Sequence, residues 1–142
     1  MMDKLDEGIL GLLRVNARMP ISAMAQELKT SRSTVQDRLR KLESRGTIKG
    51  YSVNLSDAVN SNKIKAYTSI SNEPQSSSII VAELKTIRQV NSIFSVSGKY
   101  DLMVEIETAN PAEMDTILDK LSEIPGVLRT ETSLVLSTRL QR

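Results

Sequence analysis

Two short apolar stripes at helical spacing, separated by a three-residue break and with the second far more basic, narrow the possible folds most. In the first stripe Ile21, Met24, Ala25 and Leu28 fall at i, i+3, i+4 and i+7 after Pro20, the spacing of one helix face. Lys29-Thr30 breaks the pattern and Ser31 offers an N-cap. Val35, Leu39 and Leu42 then form the stripe of the next helix until Gly46 stops it. A helix before these is expected from Leu5 to Val15, with Leu5, Ile9, Leu12 and Leu13 inward and Asp3 or Asp6 as cap. Such a pair, joined by a tight turn, is the helix-turn-helix pattern. The small Ala25 suits close helix approach, and Ile48 to Leu55 alternates enough to read as a strand or wing.

Charge follows the same division. Residues 1–55 hold ten Lys/Arg against six Asp/Glu, whereas residues 56–142 hold nine against eleven. The excess peaks between Lys29 and Lys49, where seven cations face only Asp37 and Glu43. A basic first half beside a mildly acidic second half implies nucleic acid as a partner of the first. At 100° per residue Ser33, Gln36, Asp37, Arg40 and Ser44 point away from the Val35–Leu39–Leu42 stripe, with Arg32 at the tip and Arg38, Lys41 and Arg45 on the flanks. Arg and Gln make bidentate contacts with guanine and adenine, so Ser33, Thr34, Gln36 and Arg40 are the expected base readers. Lys29, Arg32, Arg38, Lys41, Arg45 and Lys49 are expected to meet phosphates, although an alternative for Arg38 is pairing within its own helix with Glu43 or the cap structure.

What is missing excludes much chemistry. The chain has no Cys and no His, which removes disulfides, thiolate catalysis, Ser-His-Asp triads and Cys- or His-ligated metals. No Gly-rich phosphate loop is present either, so no enzyme activity, metal or cofactor is expected. Nothing approaches the ~20 apolar residues of a membrane span, and the charged start lacks a signal-peptide pattern, so a cytoplasmic location without membrane contact is expected.

After a linker expected over residues 55–62, the pattern reads strand (Ile64–Ile70), helix (Ser77–Ile87), strand (Val90–Ser97), strand (Tyr100–Thr108), helix (Ala112–Ile124) and strand (Val127–Leu140). This βαββαβ order implies an α+β sandwich with two helices on one face of an antiparallel sheet and a Gly98-Lys99 hairpin turn. The other face is expected to carry Ile93, Val104 and Ile106. An apolar face of that kind is buried most simply against a second copy, giving a homodimer. Met24, Met103 and Met114 are expected as core filler.

Several motifs then point one way. The opening Leu5-Asp6 to Ile9-Leu10, the run Arg38-Leu39 to Gly50-Tyr51, Gly98-Lys99-Tyr100-Asp101 and Ile124-Pro125-Gly126-Val127 together resemble, in order and over essentially the whole chain, the Lrp/AsnC (feast/famine) family of transcriptional regulators. That resemblance implies a winged helix-turn-helix over residues 1–54 and a ferredoxin-like βαββαβ sensor domain over residues 63–142. It further implies dimers that assemble into octamers, and a small amino acid as effector of genes for amino-acid metabolism. The effector would bind near Gly98, Tyr100 and Asp101, with Thr130 and Thr132 as secondary candidates; otherwise the Gly98–Asp101 segment is a plain hairpin turn. A ligand-responsive architectural protein that wraps DNA with little sequence choice is the rival reading. Two departures stand out: Lys29-Thr30 occupy places where the family has Gly and a hydrophobic residue, and Arg32 stands where Pro is common.

Overall fold

The computed structural model describes residues 1–60 and 62–142 and divides into two compact units, residues 1–54 and 55–142. Ser61, inside the expected linker, lies outside the described residues.

The N-terminal unit contains α1 (Lys4–Val15), α2 (Ile21–Glu27) and α3 (Arg32–Ser44). Asp3 is the N-cap of α1: its side chain accepts from Leu5 N–H and Asp6 N–H, while Asp6 accepts from Asp3 N–H at 3.2 Å. This reciprocal pair satisfies donors that a helix start otherwise leaves open. Ile9, Met24, Ala25, Val35 and Leu42 form the buried core, with Leu28 and Leu39 packed around it. Gly46 ends α3 at φ +73, a region that favours glycine, and Ile48 N–H returns to Leu42 C=O at 3.0 Å. The strand or wing expected from Ile48 to Leu55 does not form. A strand needs a ladder partner, and this unit supplies none. Tyr51 is instead tied back to α3 through its hydroxyl, which donates to Glu43 Oε1 at 2.8 Å.

The C-terminal unit opens with α4 (Asp57–Asn60), one turn within the expected linker, its Val59 and Asn60 N–H groups bonded to Ser56 C=O. Four antiparallel strands follow, β1 (Ile64–Asn72), β2 (Val90–Ser95), β3 (Leu102–Thr108) and β4 (Val127–Leu134), ordered β2-β3-β1-β4. Helices α5 (Ser77–Thr86) and α6 (Pro111–Glu123) cover one face. Ala66 opposite Ile106, Thr68 opposite Val104 and Ile70 opposite Leu102 all point toward those helices, meeting Ile80, Leu84, Met114, Ile117 and Leu121.

That register corrects the expectation for the uncovered face. Val104 and Ile106 are fully buried beneath the helices, and Ile93, opposite Val104, packs against the same core. Side chains alternate along a strand, so the uncovered face carries the intervening residues: Lys65, Tyr67 and Ser69 of β1 and Met103, Glu105 and Glu107 of β3. Lys65 Nζ lies 3.2 Å from Glu105 Oε1 there. The face is mixed and charged, not apolar.

Strand ends differ as well. β4 stops at Leu134, six residues short of Leu140, because its partner β1 begins at Ile64 and runs out of residues to pair; Val135 N–H makes the last bond, to Lys65 C=O at 2.8 Å. Asn110 caps α6 through Oδ1, which accepts from Glu113 N–H at 2.8 Å, so the helix starts at Pro111. Pro125-Gly126 closes its far end. Gly126 sits at φ +96, where a Cβ would lie 2.4 Å from Ser76 Cβ.

Candidate functional site

The turn between α2 and α3 is built around an unusual residue. Lys29 has φ +52, the one positive φ outside glycine among the described residues. It sits there because Thr30 N–H returns to Ala25 C=O at 3.0 Å and Lys29 N–H to Gln26 C=O at 3.3 Å, closing α2 tightly. A side chain in that region costs about 1 kcal/mol relative to glycine. Ser31 then caps α3: its Oγ accepts from Thr34 N–H at 3.1 Å and lies 2.6 Å from Thr34 Oγ1. Thr34 is thereby committed to the cap, and Ser33, whose Oγ lies 3.1 Å from Ser31 Oγ, stays exposed.

Along α3 the buried side chains are Val35 and Leu42, and the opposite surface is open. Arg32, Ser33, Gln36, Asp37, Arg40, Lys41, Ser44 and Arg45 are exposed, as are Lys29 and Lys49 on either side of the helix. Lys41 Nζ sits 3.0 Å from Asp37 Oδ2, and that neighbouring ammonium holds the Asp37 carboxyl below the usual carboxylate range. Among the described residues Lys29, Arg32, Arg40, Arg45 and Lys49 have no acidic partner.

Arg38 departs from its expected phosphate role. Its guanidinium donates to the Asp3 carboxylate and to Asp6 Oδ1 at 3.2 Å, binding α3 to the cap of α1. Asp6 is a buried carboxylate, 5% exposed, and Arg38 supplies its cation. The Arg38 hydrogen bond, followed by that from Asp6 N–H, lowers the Asp3 pKa; the same Asp3 bond raises that of Arg38. The cause is angular: Arg38 lies about 60° from Val35 around the helix, on the flank that meets α1.

The expected effector residues divide between two faces of the sheet. Strand β2 ends earlier than expected, at Ser95, and β3 begins later, at Leu102, so the turn runs from Val96 to Asp101 and closes through Val96 N–H to Asp101 C=O at 3.0 Å. Gly98 has φ +116 and open space around it. The Tyr100 hydroxyl donates to Glu131, which raises the phenol's pKa, and the Lys99 ammonium lies 5.7 Å from the Tyr100 ring centre. Asp101 Oδ2 accepts from Asn72 N–H at 2.9 Å while Asp101 N–H donates to Ile70 C=O, so the residue fixes the end of β1. Thr130 and Thr132 project to the helix side, opposite Ile70 and Thr68, with Thr132 Oγ1 2.9 Å from Thr68 Oγ1. Gly98, Tyr100 and Asp101 therefore form one group and the two threonines another. The sequence reading missed Glu131, although alternation between Thr130 and Thr132 places it on the uncovered face. It also missed Asn72, whose buried Oδ1 has no hydrogen-bond partner in the structure.

Among the described residues no group of three or more Asp or Glu side chains is placed to hold a metal ion, and no helix is long and apolar enough to cross a membrane.

Comparison with known proteins bears on both units. Residues 2–43 match the model of the AsnC-type helix-turn-helix domain, and residues 65–142 that of the Lrp/AsnC ligand binding domain. The HTH-type transcriptional regulator LysM of Sulfurisphaera tokodaii is 31% identical over 135 residues, 94% of each chain. E. coli AsnC superposes with a TM-score of 0.85 at 24% identity, covering 100% of this chain and 97% of its own. A transcriptional regulator from Neisseria meningitidis, solved as its L-Met complex, gives 0.85 at 24% identity over 99% of this chain and 94% of its own.

Proposed function

The chain belongs to the Lrp/AsnC family of transcriptional regulators, and we propose that it reads a specific DNA sequence and that a small amino acid adjusts its output. The observation that carries the first half is the α3 surface, where Ser33, Gln36 and Arg40 stand exposed opposite the buried Val35 and Leu42. Arg40 and Gln36 are the base readers, with Ser33 beside them. Lys29, Arg32, Lys41, Arg45 and Lys49 neutralise phosphates and set position, while Arg38 is left out of the interface and holds α3 to α1. A homodimer places two such helices in successive major grooves of a pseudo-palindromic site, and dimers assemble further into octamers. The site of action is the cytoplasm, and no resident cofactor is needed.

For the second half, the match of residues 65–142 to a ligand-binding domain and the methionine held by the N. meningitidis neighbour support an amino-acid effector. It is held at the Val96–Asp101 turn, with Tyr100, Asp101 and the Gly98 backbone offering polar groups to its charged ends, and it links the protein to control of amino-acid metabolism. Thermal-shift and calorimetric titration with the common amino acids, read beside sizing, tests this. Stabilisation by one of them is expected, and no stabilisation by any removes the effector while leaving DNA binding intact. The ratio of operator to random-DNA affinity at physiological salt tests the DNA half: a ratio well above unity is expected, and one near unity describes a DNA-wrapping protein instead.

A further inference from the structure

We propose that Asp37 sets specificity on the α3 surface, its carboxylate accepting a hydrogen bond from the exocyclic amino group of a cytosine. The inference rests on the reading that α3 enters the major groove. Two acids lie among the seven cations between Lys29 and Lys49, and they are used differently. Glu43 is engaged by the Tyr51 hydroxyl at 2.8 Å. Asp37 lies about 180° around α3 from the Val35–Leu39–Leu42 stripe, at the centre of the outward surface. Ser33 precedes it by one turn, and Gln36 and Arg40 flank it; all three are exposed.

A carboxylate there is a costly choice for a surface that only gathers phosphates, since it repels each of them. Its bond to Lys41, one turn on and 3.0 Å away, moderates that repulsion and fixes the side chain in an outward position. An exposed i,i+4 pair stabilises a helix only slightly, so helix stability alone is a weak return for the lost phosphate attraction. Base chemistry accounts for it better. A carboxylate only accepts hydrogen bonds. Guanine presents two acceptors in the major groove and thymine one, while adenine sets its amino group beside its own acceptor N7; the cytosine base itself presents only the N4–H₂ donor. Asp37 therefore favours cytosine and rejects guanine and thymine, and Arg40 on the same surface can take the acceptors of a neighbouring guanine.

Sequences bound by the full-length protein are selected from a randomised duplex pool for the wild type, Asp37→Ala and Asp37→Asn, with affinity for random duplex measured at the same salt. The wild type is expected to enrich a motif with a fixed C·G pair in each half-site. Asp37→Ala loses about tenfold of the cytosine preference at that position alone and binds random DNA several-fold more tightly. Asp37→Asn moves the preference toward adenine, which an amide can bond at both N6 and N7. Helical circular dichroism confirms that each variant is folded. An unchanged motif and unchanged random-DNA affinity in both variants would overturn the proposal, leaving the Asp37–Lys41 pair a helix brace. If the wild type enriches no motif, the reading of α3 itself fails and this one with it.

Discussion

The two units differ in their balance of charge: residues 1–55 hold ten Lys/Arg against six Asp/Glu, and residues 56–142 nine against eleven. On the C-terminal sheet cations face acids across neighbouring strands, Lys65 with Glu105 at 3.2 Å, while Lys63 meets Glu107 at 2.8 Å and the Tyr100 hydroxyl meets Glu131. On the N-terminal unit Arg32, Arg40, Arg45, Lys29 and Lys49 stand without an acidic partner among the described residues. A unit with an excess of acids gains nothing from a polyanion, whereas the stretch from Lys29 to Lys49, with seven cations against two acids, gains by meeting one. The cores differ too. Ile9, Met24, Ala25, Val35 and Leu42 hold the N-terminal unit, while the C-terminal core draws on all four strands and on α5 and α6. The DNA-facing unit rests on the smaller set of buried residues, to which its caps and the Arg38 bridge add.

The sharpest way to break this contrast is to hollow the smaller core. Ile9→Ala is expected to cost about 2–5 kcal/mol. In the full chain it should abolish duplex binding and shift the earlier thermal transition, with the strand signal of the C-terminal unit unchanged. A single, uniformly shifted transition would show that the units do not differ in this way.

Next in size is Arg40→Ala, expected to weaken binding to a selected duplex by about 1–3 kcal/mol and to relax preference at one position. Lys65→Ala, which removes a cation already paired with Glu105, should leave duplex affinity unchanged. Competition titrations of both variants check the pair of claims, and equal losses would erase the distinction.

Lys29→Gly separates strain from charge. Relief of the positive φ should raise stability by about 1 kcal/mol, while loss of the cation lowers the slope of log affinity against log salt by about one. Chemical denaturation and a salt series measure the two effects on the same variant.

The smallest effect is on acid stability. Arg38 holds the folded-state Asp3 pKa below its ordinary 3.8. A depressed carboxyl contributes stability that is fully present above the unfolded value and lost as pH falls through the lowered one. Asp3→Asn should therefore flatten the decline in helical signal below about pH 3.8 and leave the neutral-pH dependence alone. A titration curve that superposes on the wild type would place the acid response elsewhere.

Local chemistry was readable from the sequence because its signals lie within a few residues of one another. The Ser31 cap, the stop at Gly46 and the α3 stripe all follow from positions one turn apart. Partnerships between distant residues were not. Arg38 meets Asp3 across 35 positions, and no periodicity announces that bond. The covered face of the sheet was misjudged at Val104 and Ile106 because alternation gives a strand two faces without saying which one the helices take. The length of β4 depended on where β1 begins, and the missing wing on the absence of a partner strand. At the expected effector turn the tetrapeptide was legible, yet the bonds from Tyr100 to Glu131 and from Asn72 to Asp101 belong to residues far apart in the chain.

The cations and polar residues on the open surface of α3 are the part of the molecule that reads DNA in this proposal. Binding of the wild-type chain to a selected duplex and to a random one, followed between about 50 and 200 mM salt, measures this. Both affinities should fall with a slope of about −0.9 for each phosphate neutralised, while their ratio stays far above unity throughout. Salt-independent binding, or a ratio near one at every concentration, would contradict it.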